Sequence, residues 1–126
     1  MINPMIVEGQ VHGGIVHGIG NALYEMMGYD AEGQPLTTTF QDYLLVTATE
    51  LPRIETIYRE TISPSNPIGA KGVGETGTIP AAAAVISAVE NALSPLGIRI
   101  SQTPITPETV FKLIQEARRS GEPPAT

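Results

Sequence analysis

Cysteine and tryptophan are absent from these 126 residues, and only 7 lysines and arginines stand against 13 aspartates and glutamates. Without cysteine the chain can hold no disulfide, no thiolate metal site and no iron–sulfur cluster of its own. A net charge of −6 leaves none of the basic surface that nucleic acid attracts. The N-terminus lacks a basic segment followed by an apolar run, so no secretory signal is visible. The longest apolar run, Ile79 to Ile86, is far too short to span a bilayer. The expectation is a cytoplasmic protein with neither a nucleic-acid nor a membrane partner. Aromatics are also scarce, so Ile, Leu, Val, Met and Ala must build the core, and this length allows one compact domain at most.

What the chain has instead is glycine, concentrated in two places. The first is Asn66 to Gly77, where glycines 69, 72, 74 and 77 flank Lys71 and Glu75 just before an alanine-rich segment. Glycine suits positive φ or a close backbone approach. A glycine loop entering a helix lines up N–H groups beside the positive end of the helix dipole, which suits phosphate or another oxyanion. Glu75 adds nothing to anion binding, so it either caps the helix or performs chemistry. A carboxylate held near Lys71 and a helix start can rest ionised and still accept a proton, as a general base must. Lys71, if buried, needs Glu75 or a ligand phosphate as partner.

Gly72 to Gly77 also fits the GxGxxG pattern. It lacks the hydrophobic strand before it and the strand-end acid about 20 residues later that a dinucleotide fold needs. A P-loop is excluded because no Gly-Lys-Ser/Thr follows.

The second concentration, glycines 13, 14, 18 and 20, lies in a helical pattern from Gln10 to Gly28, with Ile15, Ile19, Ala22, Leu23 and Met26 on one face. Each helical glycine costs about 1 kcal/mol. Gly14 and Gly18 leave one side bare for a neighbouring helix or a ligand. His12 and His17 are five apart and do not form an i, i+4 metal pair; no metal ligand is assigned.

The remaining elements read coarsely. Met1 to Glu8 is a short strand or extended lead-in broken by Pro4, and residues 28–35 are a turn cluster. Thr37 to Thr47, Arg53 to Thr61 and Ile98 to Ile100 read as strands. A second helix starts at Thr78 or Ile79 with Pro80 in its first turn, and a third starts at Thr106-Pro107-Glu108. The predicted fold is α/β (α+β), with about three helices on a small, mostly antiparallel mixed sheet over residues 1–120 and a frayed polar tail at 121–126.

Taken together, Gly13-Gly14-Ile15-Val16-His17-Gly18-Ile19-Gly20-Asn21-Ala22-Leu23-Tyr24-Glu25, Asp42-Tyr43, Gly69-Ala70-Lys71-Gly72-Val73-Gly74-Glu75 and Thr106-Pro107-Glu108 resemble the C-terminal part of a known subunit type. It is the molybdenum-binding large subunit of the xanthine oxidase, aldehyde oxidase and carbon monoxide dehydrogenase family. The resemblance covers nearly the whole chain, and the Gly-Val-Gly-Glu element is its most specific part. It implies that Glu75 is the base at a molybdenum centre hydroxylating an aldehyde, a purine or another N-heterocycle. It implies that Lys71, Gly72, Val73 and Gly74 lie along the molybdopterin (a dinucleotide form), and that the turn at His17 and Gly18 is a further cofactor contact. Family members usually carry glutamine where His17 stands.

The chain matches roughly the last sixth of such a subunit, so it is expected to be a fragment that is inactive alone. Its implied partners are the rest of the large subunit and iron–sulfur and FAD-bearing subunits, with self-association possible when it is isolated. The competing reading is a small α/β phosphate-ligand-binding or assembly protein in which Glu75 only caps a helix.

Overall fold

The computed structural model describes residues 1–121, so residues 122–126 of the expected tail lie outside the described part. Three helices carry the architecture: α1 (Pro4–Leu23), α2 (Thr78–Leu93) and α3 (Pro107–Gly121).

Helix α1 begins six residues earlier than its apolar periodicity suggests. Asn3 is its cap, with the side-chain oxygen accepting the Ile6 N–H at 3.1 Å, and Pro4 occupies the first position. Pro4 therefore starts the helix and does not break a strand, because its missing N–H falls where no partner is needed. Helix α2 starts at Thr78 with Pro80 inside the first turn, and α3 starts where Thr106 Oγ1 accepts the Thr109 N–H at 3.2 Å.

Glycine and alanine set the contact between α1 and α2. A Cβ at Gly14 would stand 2.7 Å from the Thr78 nitrogen, and one at Gly18 would stand 2.9 Å from the Ala82 nitrogen and collide with the Ala81 methyl. Of the two uses for the bare side of α1, helix packing is the one realised. The pairs advance together along both helices, so α1 and α2 run in the same direction. Ala22, Ala81, Ile98 and Ile105 are the buried apolar residues, and the Ile105 N–H donates to the Ala22 carbonyl at 2.7 Å, tying the segment before α3 to the end of α1.

The predicted mixed sheet is not there. Among the described residues no strand ladder forms, and the only β feature is an isolated antiparallel bridge between Tyr29 and Pro35. The chain is mostly helical. Strand propensity measures how well a residue fits a pleated surface beside a paired neighbour, and here other partners satisfy these segments. Within Thr37 to Thr47, the Thr39 carbonyl accepts the Asp42 and Tyr43 N–H groups and its hydroxyl donates to Asp42 at 2.8 Å. That local turn competes with extension. The Ile100 N–H goes to the Glu90 carboxylate at 2.8 Å. Arg53 to Thr61 keeps only part of the alternation expected of Ile54, Thr56 and Tyr58 against Glu55, Ile57 and Arg59. Ile54 and Thr56 are half-buried, but Tyr58 is exposed like the other face, and the segment lies beside no other strand.

One further expectation changes. Thr78–Leu96 is long and apolar enough to cross a membrane by length and composition alone. Its apolarity comes mainly from Ile79, Val85, Ile86, Val89, Leu93 and Leu96, while Ala81 and Ala82 are the residues that meet Gly18 of α1.

Candidate functional site

The glycine loop is pinned at both ends. At its start, Asn66 pairs its side-chain amide with both backbone groups of Ala70: Oδ1 accepts the N–H at 2.9 Å and Nδ2 donates to the carbonyl at 2.8 Å. The Asn66 carbonyl accepts the Gly69 N–H at 3.1 Å. Gly69 itself has φ +66, a conformation that glycine reaches without strain. The Ser63 N–H reaches the Gly69 carbonyl at 3.1 Å and closes the turn. At the far end, Gln10 of α1 donates from Nε2 to the Gly74 carbonyl at 2.7 Å. Gly77 then packs on α1, where a Cβ would be 3.1 Å from Gly14 Cα.

Between these anchors the loop is open. Among the described residues, the backbone N–H groups of 71 to 75 find no acceptor in the chain. A Cβ at Gly72 or Gly74 would meet nothing within 4 Å. Five neighbouring donors with open space over two glycines fit a ligand rich in oxygen acceptors, such as a phosphate-bearing pterin cofactor.

Lys71 is exposed and donates to Thr61 Oγ1, not to Glu75. Glu75 is exposed, and its side chain makes no hydrogen bond or ion pair among the described residues. Its backbone carbonyl accepts the Ile79 N–H at 3.1 Å. The cap of α2 is Gly77, with no side-chain cap bond, so Glu75 does not cap the helix. Val73 is half-buried within the loop. Of the residues on α1, Gly18 is buried with its bare side covered by Ala81 and Ala82, whereas His17 beside it is exposed. Among the described residues no group of three His, Cys, Asp or Glu side chains could share a metal.

Two residues with no role assigned from sequence, Gln10 and Asn66, anchor the loop; away from it, just beyond α1, Glu25 accepts the Tyr43 hydroxyl at 2.6 Å. The Asn66-Pro67 turn signal could have pointed to Asn66; nothing in the spacing singles out Gln10. Two cavities lie elsewhere, one of about 300 Å³ beside Glu90 and Arg99 and one of about 490 Å³ lined by Leu23, Val89 and Phe111. Neither touches residues 69–77.

Residues 1–52 match the family described as the molybdopterin cofactor-binding domain. The chain is 47% identical over 116 residues to the 6-hydroxypseudooxynicotine dehydrogenase complex subunit gamma of Paenarthrobacter nicotinovorans, a match covering 91% of this chain and 14% of the relative. It is 42% identical over 115 residues to the carbon monoxide dehydrogenase large chain of Hydrogenophaga pseudoflava, again covering 91% and 14%. Among solved structures, quinoline 2-oxidoreductase from Pseudomonas putida 86 superposes with a TM-score of 0.89 at 52% identity, over 92% of this chain and 15% of that one. The chain thus spans about one seventh of the length of these relatives.

Proposed function

Because the chain belongs to the family of molybdenum-binding large subunits that includes the carbon monoxide and xanthine dehydrogenases, we propose that its glycine loop presents Glu75 as the general base of an oxidative hydroxylation. The observation that carries this reading is the run of amide donors at 71 to 75 left unpaired among the described residues, with open space over Gly72 and Gly74. When bound, the molybdenum cofactor supplies oxygen to an electron-poor carbon and takes up the electrons released.

The chain's own part is to bind and to move a proton. Backbone N–H groups of Lys71, Gly72, Val73 and Gly74 donate to the cofactor's acceptors. His17, exposed next to Gly18, offers an imidazole that can donate a further hydrogen bond. The Glu75 carboxylate, with no partner among the described residues to compete for its lone pairs, accepts the proton.

The complete enzyme carries the cofactor in a dinucleotide form, with iron–sulfur clusters and FAD on partner subunits, and works in the cytoplasm. An N-heterocycle other than a purine is the favoured substrate class over an aldehyde or a purine, because the relatives at 47% and 52% identity are named for a nicotine derivative and for quinoline. By itself the chain offers a base and one wall of a site, and it is inactive.

Glu75→Gln in the complete, cofactor-loaded subunit tests the reading. Turnover is expected to fall by about 10²–10⁴-fold, with molybdenum content unchanged. Full turnover by that variant removes Glu75 from the chemistry.

A further inference from the structure

We infer that Gln10 and Asn66 are positioning residues for Glu75, two side-chain amides that fix the loop backbone from opposite ends. The inference rests on the base role proposed above and adds what holds that base in place. Glu75 has no side-chain partner of its own among the described residues, so its location is set by the backbone that carries it. That backbone is fastened at four points. Asn66 satisfies both polar groups of Ala70 at 2.9 and 2.8 Å, much as a neighbouring strand would. The Asn66 carbonyl and Ser63 hold the left-handed Gly69. Gln10 grips the Gly74 carbonyl at 2.7 Å, one residue before the carboxylate. Gly77 sits against Gly14 two residues after it.

Gly72, between the amide anchors, and Gly74, at the Gln10 anchor, have no Cβ, and one built at either would meet nothing within 4 Å. Gln10 and Asn66 therefore supply the restraint that the loop lacks in itself, and they do so without occupying the N–H groups of 71 to 75. A base displaced by about 1 Å can lose about a hundredfold in rate. A loop released at one end is expected to show such a loss without any change in its own chemistry.

The experiment uses the complete, cofactor-loaded subunit carrying Gln10→Ala, Asn66→Ala or Asn66→Asp, with Gln102→Ala as an exposed control. Amide hydrogen exchange across 70–76 is measured alongside kcat, KM and molybdenum content. Exchange is expected to accelerate at least about tenfold. In both alanine variants kcat is expected to fall about 10- to 100-fold, with KM and molybdenum content near their original values. Asn66→Asp keeps the acceptor for the Ala70 N–H and loses the donor, so it is expected to fall between Asn66→Ala and the parent. Exchange and kcat matching the Gln102→Ala control would overturn the inference, as would equal losses in Asn66→Asp and Asn66→Ala.

Failure of the base role reads out differently. If Glu75→Gln retains turnover, that role is lost and exchange alone judges the anchors, with unchanged exchange overturning them too.

Discussion

The Tyr43 hydroxyl donates a 2.6 Å hydrogen bond to the Glu25 carboxylate, joining the turn at 39–43 to the segment that follows α1. The two residues are 18 apart in the chain, and a second bond, from the Gly28 N–H to Thr37 Oγ1 at 2.9 Å, closes the same excursion.

Because the Glu25 carboxylate accepts the phenol proton and repels a phenolate, and because the hydroxyl is partly desolvated, Tyr43 titrates above its usual value of 10.0. A raised value in the folded state means that the contact stabilises fully below the unfolded value and is lost as pH rises through the folded one. Spectrophotometric titration of the four tyrosines is expected to lose its highest-titrating member in Tyr43→Phe. An unchanged alkaline limb in that variant would show that the pair does not persist in solution.

Glu90 acts at the acidic end. The Ile100 N–H and then the Arg99 guanidinium, at 2.8 and 2.9 Å, hold its carboxyl below the usual value of 4.5. A lowered value means that the stabilisation is present above the unfolded value and is lost as pH falls through the folded one. Glu90→Gln is expected to lower the thermal midpoint at pH 6, and this gap to the parent should close as the pH approaches 3. A gap constant with pH would mean that packing, not charge, carries the effect.

Glycine substitutions in α1 should divide by neighbour. A methyl group at Gly13 would meet nothing within 4 Å, whereas one at Gly18 faces Ala81 and Ala82. Gly13→Ala is expected to stabilise by about 0.5–1 kcal/mol through helix propensity. Gly18→Ala is expected to destabilise by about 1–3 kcal/mol through overpacking. Urea denaturation of both variants checks the sign of each.

Large apolar side chains stand in water on the isolated chain, with Ile57 97% exposed, Ile62 84% and Phe40 82%. Large apolar side chains left this exposed favour contact with other protein. Sedimentation velocity on the isolated chain is expected to show a concentration-dependent rise in mass. Phe40→Ser with Ile57→Lys is expected to weaken that association by about tenfold or more. A monomer at all concentrations would remove self-association from the account.

Helices were legible in the sequence where local chemistry decides the outcome. Thr106-Pro107-Glu108 and Thr78-Ile79-Pro80 mark their starts because a cap or a first-turn proline acts over a few residues. Asn3-Pro4 carries the same kind of signal, but the glycines that follow hide the apolar period and favour reading an extended segment. The strands failed because pairing is non-local: Ile54 and Thr56 are half-buried as their alternation predicts while Tyr58 on the same face is exposed, and no residue type states whether a second edge will be present. In the candidate site, the glycines and Glu75 stand out by composition. Gln10 lies 64 residues from the carbonyl it holds, a distance across which no sequence pattern speaks.

The meeting of α1 and α2 through Gly14, Gly18, Gly77 and Ala81 has a mechanical consequence. Backbones this close interlock like shallow teeth, so sliding one helix lengthwise drives a methyl or a peptide into its neighbour, while tilting them apart meets little resistance at first. Glu75, two residues before the first of these teeth on its own stretch of chain, is thereby guarded against shear and exposed to hinging, and any loosening of this junction should show itself as a lift of the loop away from α1.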